Sequence, residues 1–205
     1  MAWRLFPEEN RSLELLSAMA RMAVEATSCV AQIVGSPQED HESVLEEALE
    51  IERRCTDQFF ALMTTVRSSF VTPLPRGDLY LLGRHLNTTI ESLVGATSVI
   101  QTLKLDTFSD RSAELLDLIH RQASLTSEAM RHLADLKGLE EYWVEVMRMS
   151  KQFSRTSDRY RSYLLERAKT STYIKYSHFV DKLENASNAL RAVATEVGRI
   201  LVQEG

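Results

Sequence analysis

The chain has 205 residues, 44% hydrophobic and 26% charged, with a formal net charge of −5. These proportions are ordinary for a water-soluble globular protein of one or two domains, and the negative balance argues against a general nucleic-acid binder, so no nucleic acid is expected as a partner. Seven glycines and four prolines are few for this length and favour long uninterrupted helices over a turn-rich β fold.

The N-terminus, MAWRLFPEENRS, lacks the apolar core of a signal peptide. No apolar run approaches the roughly 20 residues needed to span a bilayer, which excludes transport itself as the activity and leads us to expect a cytoplasmic protein. The first helix is expected from about Pro7 to Val34, ending at Gly35. Ser36-Pro37-Gln38-Glu39 then reads as a helix start, with Ser36 as N-cap, Pro37 at the first helical position and Glu39 at the third.

The second helix runs on to about Val71. Its seam is Leu45, Ala48, Glu52, Cys55, Phe59, Leu62 and Val66, in alternating steps of three and four. One member of that seam, Glu52, is a carboxylate, which is costly there unless paired or placed on a metal. Cys55 and Cys29 fall inside helical patterns and read as reduced core residues. Thr72-Pro73-Leu74-Pro75 stops the second helix, because proline disfavours helix at the residue before it. The same stretch can start the third helix, with Thr72 as N-cap and Asp78 on the positive end of the helix dipole.

The third helix has the seam Leu79, Leu82, Leu86, Thr89, Leu93, Ala96, Ile100 and Leu103, and is broken by Asp106-Thr-Phe-Ser-Asp110. A fourth helix is expected from about Arg111 to Leu136, closed by Lys137-Gly138. The fifth has the seam Tyr142, Val146, Met149, Phe153, Thr156, Tyr160 and Tyr163; the sixth, from about Ser171, has Phe179, Leu183, Ala186, Leu190, Val193, Val197 and Ile200. The expected fold is all-α, six long helices.

Helices one to three and four to six each make an up-down-up set. Superposing the seams sets Glu52 opposite Phe153 and Leu86 opposite Leu183. The expected organisation is therefore two tandem three-helix units, 1–106 and 107–205, packed as one elongated domain. Charge divides unevenly along it. Residues 1–60 hold twelve Asp/Glu against five Lys/Arg, whereas residues 148–175 hold eight Lys/Arg against two Asp/Glu. Either these are two solvated faces of opposite sign, or the basic one meets anionic groups or an acidic partner.

On the third helix Asn87 and Glu91 share a face one turn apart, about 150° from the leucine seam. Glu184 and Asn188 take the matching places on the sixth. Oxygen side chains at i and i+4 can converge on one cation, and Thr56 and Asp57 follow Glu52 with further oxygens. Catalytic constellations are missing: there is no Glu-x-x-His, no phosphate-binding glycine loop and no nucleophile elbow. His41, His85, His120, His132 and His178 have no metal-ligand spacing. No enzyme is expected.

The stretch Phe70-Val-Thr-Pro-Leu-Pro-Arg-Gly-Asp-Leu-Tyr, between a Glu-bearing helix and an Asn/Glu-bearing one, resembles the PhoU-like proteins. It is most similar to their branch of phosphate transport regulators, or accessory proteins of Pit phosphate permeases. The corner of that branch is matched here by Phe70, Thr72, Pro73, Arg76 and Asp78. The resemblance implies a PhoU-like helical bundle and a role in phosphate homeostasis. It also implies a permease as membrane partner, and a cytoplasmic location that extends to the inner face of the membrane.

It further implies a divalent or trivalent metal, iron, zinc or manganese, on the bundle surface. The positions that match the family's ligands are Glu52, Asp57 (displaced by one from Thr56), Asn87 and Glu91, then Glu184 and Asn188. Phe153, in the second half, stands where a ligand glutamate is usual and cannot ligate. Coiled-coil-like seams on several helices lead us to expect a homo-oligomer. The residues leave two alternatives open, a metal-binding or storage protein and a metal-free helical scaffold.

Overall fold

Apolar residues recurring every three and four positions build amphipathic helices, and burying those stripes against one another leaves few ways to assemble them. The computed structural model describes residues 10–204, and among them it holds six α-helices and no strand. They are α1 (Arg11–Gly35), α2 (His41–Ser68), α3 (Arg76–Leu103), α4 (Asp110–Arg131), α5 (Leu139–Arg167) and α6 (Thr170–Glu204). The all-α expectation holds; the expected helix start at Pro7 lies outside the described residues.

Helix α2 packs on α1 and α3, and α5 packs on α4 and α6. The two trios meet along α1 against α4 and α3 against α6, so α2 and α5 flank the assembly. Helices α3 and α6 run antiparallel: Asp78 at the start of α3 meets Arg199 near the end of α6, while Lys175 near the start of α6 reaches the Leu103 carbonyl. One continuous apolar core extends from Leu13 on α1 to Ile200 on α6.

Inside the second trio a polar bridge crosses this core. The Gln122 amide of α4 donates to Ser150 Oγ of α5 at 2.8 Å and accepts from Ser187 Oγ of α6 at 2.9 Å. All three side chains are buried, so each satisfied partner offsets the cost of desolvating the others.

Three sequence expectations shift in the fold. Ser36 does not cap α2: its hydroxyl donates back to the Ile33 carbonyl and finishes α1, and a 3₁₀ turn over Gln38–Asp40 precedes α2. Helix α4 stops at Arg131 rather than near Leu136, and turns carry the chain to Gly138, which has φ +69°. The proline corner is also longer than expected. Helix α2 ends at Ser68, and α3 begins only at Arg76 with Pro75, not Thr72, before it. Thr72 and Leu74 each precede a proline and are pushed towards extended backbone, so no helix can start until the second proline is passed.

Leu74 is buried and fastens this corner beside Leu13, Leu133 and Leu136. Arg76 donates to the Ser69 carbonyl at 2.7 Å, closing the open end of α2. Because Leu74 and Arg76 hold the corner, replacing Pro73 and Pro75 together by alanine is expected to cost only about 1–2 kcal/mol, by loosening the unfolded chain. Circular dichroism should then retain its helical signal; loss of most of it would show that the prolines organise the bundle.

Candidate functional site

The buried stripe of α2 is Val44, Ala48, Ile51, Cys55, Leu62 and Val66. Ile51 therefore takes the central position that the seam had given to Glu52. Glu52 stands at the stripe's edge, half-buried against α3. Helix α3 comes close here because Gly83 has no side chain: a Cβ on it would lie 2.6 Å from Leu62 and 3.1 Å from Phe59. Phe59 in turn meets Tyr80, with ring centroids 6.2 Å apart.

Across this seam Glu52 lies near enough to Glu91 for their charges to interact, and Asn87 stands one turn before Glu91 on α3. Asn87 Nδ2 donates to Glu91 Oε1 at 2.6 Å, and Asn87 Oδ1 is buried without a hydrogen-bond partner among the described residues. Burial pushes the Glu52 carboxyl above its usual range, and the Glu91 charge adds to the shift. The same surroundings act on Cys55, whose thiol is pushed up to about 12, first by burial and then by Glu91 and Glu52. Cys29 is likewise raised to about 11, chiefly by burial. Both cysteines are buried free thiols, inert at neutral pH.

Asp57 does not join the group. It is exposed on the outer face of α2 and pairs with Arg53 at 3.6 Å. Among the described residues no three of His, Cys, Asp and Glu converge in a way that would hold a metal ion. What the first half offers is two carboxylates and one orphaned amide oxygen, an all-oxygen set of the kind that suits a hard cation.

The raised carboxyl has a sign that can be tested. The folded state holds the Glu52 proton more tightly than the unfolded chain does. Glu52 therefore lowers stability as pH rises from the ordinary carboxyl value of 4.5 through its raised one. Glu52→Gln should remove that slope, so that urea midpoints fall less between pH 4.5 and neutrality than those of the parent. An unchanged slope would place Glu52 in water rather than against α3.

The second half is built differently. Phe153 is 1% exposed and packed in the core, and Ser157 is fully buried. One turn beyond Ser157, Arg161 turns across to α6. Its Nη1 donates to Ser157 Oγ at 2.6 Å, and its Nη2 donates to Asp181 at 2.6 Å and Glu184 at 2.8 Å. The Glu184 carboxylate is thus held by the chain's own guanidinium, and a metal ion there would meet a fixed positive charge. Asn188 is exposed on the outer face of α6.

The corner residues also separate. Phe70 is 96% exposed and Thr72 half-buried, while Asp78 is 5% exposed and takes a 2.5 Å bond from Arg199. Sequence reading missed Arg161 and Arg199, the two cations that occupy these carboxylates. The available signal was weak, since an arginine one turn from a serine, or near a chain end, has no distinctive spacing.

No family model matches the chain. A Rhizobium meliloti (strain 1021) protein named "Putative pit accessory protein" is 23% identical across 98% of this chain and 96% of its own length. Two Shewanella oneidensis MR-1 crystal structures share the fold. A PhoU-like protein superposes with a TM-score of 0.78 at 10% identity, covering 94% of this chain and 99% of its own. A second, named "putative PhoU-like phosphate regulatory protein", gives 0.68 at 11%, with the same coverage. The fold is PhoU-like.

Proposed function

We propose that this chain is a regulator of phosphate transport, an accessory protein that acts by docking on a membrane phosphate permease of the Pit type and not by catalysing a reaction. The observation that supports it most is the end-to-end likeness to the Pit accessory protein, because the alignment covers both chains almost completely. The PhoU-like fold agrees with it. No described helix is long and apolar enough to cross a membrane, so a permease would have to be supplied by another chain.

In this reading the chain works in the cytoplasm, peripheral to the inner face of the membrane. It is a doubled three-helix unit, 1–106 and 107–205, and self-associates. Any metal it uses, iron, zinc or manganese, sits on Glu52, Asn87 and Glu91 rather than at Glu184 and Asn188, where Arg161 already supplies the positive charge. Bound there, a cation would neutralise two neighbouring carboxylates. Metal content per chain, measured on protein purified without chelator, tests that assignment, and Glu52→Gln should lower it.

The test of function is phosphate uptake through the permease in cells that carry or lack this chain, paired with co-purification of the two proteins from membranes. A change in uptake with co-purification supports the proposal. Unchanged uptake with no permease recovered would overturn it.

A further inference from the structure

Four cations fall on one side of α5. At about 100° per residue, Lys151, Arg155, Arg148 and Arg159 lie within an arc of about 80° and along about 16 Å of helix. All four are exposed. Arg148 is answered by Glu145 at 2.5 Å. Among the described residues, no carboxylate pairs with Lys151, Arg155 or Arg159; Asp158 is the only acid between Arg148 and Leu165, and Glu141 and Glu166, both exposed, lie beyond the two ends of the row.

Two apolar side chains stand beside this row, Val144 within its arc and Leu165 about 40° outside it. Val144 precedes it and is 52% exposed; Leu165 follows it and is 68% exposed. On the opposite flank of the assembly, the outer face of α2 presents Glu42, Glu46, Glu50 and Asp57, all exposed. Only Arg53, which pairs with Glu50 and Asp57, stands among them. Since α2 and α5 lie on opposite flanks, the molecule carries a transverse separation of charge although its net charge is −5.

We propose that the outer face of α5 is the surface by which this protein lies against an anionic lipid bilayer. It rests on the permease reading only in bringing the chain to a membrane. The unpaired cations face headgroup phosphates, Val144 and Leu165 settle at the headgroup boundary, and the acidic face of α2 is repelled and turned to the aqueous side. Each cation near an anionic surface strengthens binding by about fivefold, so a row of three or four holds a chain of net negative charge in one orientation.

The experiment is co-sedimentation of the full chain with phosphatidylcholine vesicles, with and without phosphatidylglycerol. Binding is expected only where phosphatidylglycerol is present, and it should fall as salt screens the contact. The triple variant Lys151→Gln, Arg155→Gln, Arg159→Gln should bind on the order of a hundredfold more weakly. A second triple, Arg53→Gln, Arg67→Gln, Arg84→Gln, loses the same charge from exposed positions on α2 and α3 and should bind as the parent does.

Equal loss in both triples would overturn the proposal, because net charge and not the α5 face would then decide binding. Absence of binding to any lipid vesicle would overturn it too. Recovery of binding only when the permease is reconstituted would instead assign the row to an acidic protein surface. The lipid vesicles contain no permease, so failure here leaves phosphate uptake, and with it the regulatory reading, to be judged separately.

Discussion

Phe153→Glu should unfold the second trio rather than furnish it with a cation site. Superposing the seams of α2 and α5 sets Phe153 opposite Glu52, so the exchange puts a ligand-type side chain at that position. The surroundings differ, however. Glu52 is half-buried at the edge of its stripe, whereas Phe153 is 1% exposed in the middle of its own. Removing a buried phenylalanine costs about 3–5 kcal/mol before any charge is considered. A glutamate there must also be desolvated or hold its proton, and Arg161, about two turns further along α5, is already committed to Asp181 and Glu184. We expect a loss of more than about 4 kcal/mol in urea unfolding. A variant that keeps the parent's stability and gains metal would show that the second half can open a site we read as closed.

The second large effect concerns the corner. Asp78 is buried, its Oδ1 is bonded to Arg199 at 2.5 Å, and its Oδ2 has no hydrogen-bond partner among the described residues. Arg199, itself 38% exposed, is steadied by Glu196 at 2.9 Å and Gln203 at 3.0 Å. Arg199→Met would leave the Asp78 carboxylate buried without the one counter-charge it has among the described residues, at a cost of about 2–3 kcal/mol, below the full buried-pair value because the arginine is partly solvated. Asp78→Asn should cost less, since a neutral amide is easier to leave under-satisfied. The double variant should cost clearly less than the sum of the two, which a thermal-unfolding cycle measures. Strict additivity would mean that the corner and the end of α6 are not coupled.

Much of this was legible in the sequence. Period and composition give six helices, and the α3 seam from Leu79 to Ile100 is buried at every position. Where reading failed, a residue had a second partner or position that its spacing did not reveal. Ser36 has the form of an N-cap, yet the carbonyls at the end of α1 take its hydroxyl. A three-four alternation through α2 included Glu52 and passed over Ile51, because both fall within one helical step of the true stripe. At the candidate site, the sequence shows which residues carry oxygen but not which cation answers each one. Asp57 is claimed by its own helix through Arg53, and Glu184 by Arg161 from a different helix. No spacing rule reports a bond between helices.

The bridge from Gln122 to Ser150 and Ser187 has a further consequence for how the two trios are specified. Leucine and valine side chains fit a neighbouring helix in more than one register, with modest differences in energy. An amide that must find hydroxyls on two other helices does not. A slip of one residue along α5 would swing Ser150 by about 100° and strand Gln122 in the core. The second trio is therefore keyed by a polar lock inside its core, whereas the side-chain bonds described between the helices of the first, such as Arg54 to Glu25 at 2.8 Å and His41 to the Ser36 carbonyl at 3.2 Å, lie at its edges, and apolar packing sets the alignment within.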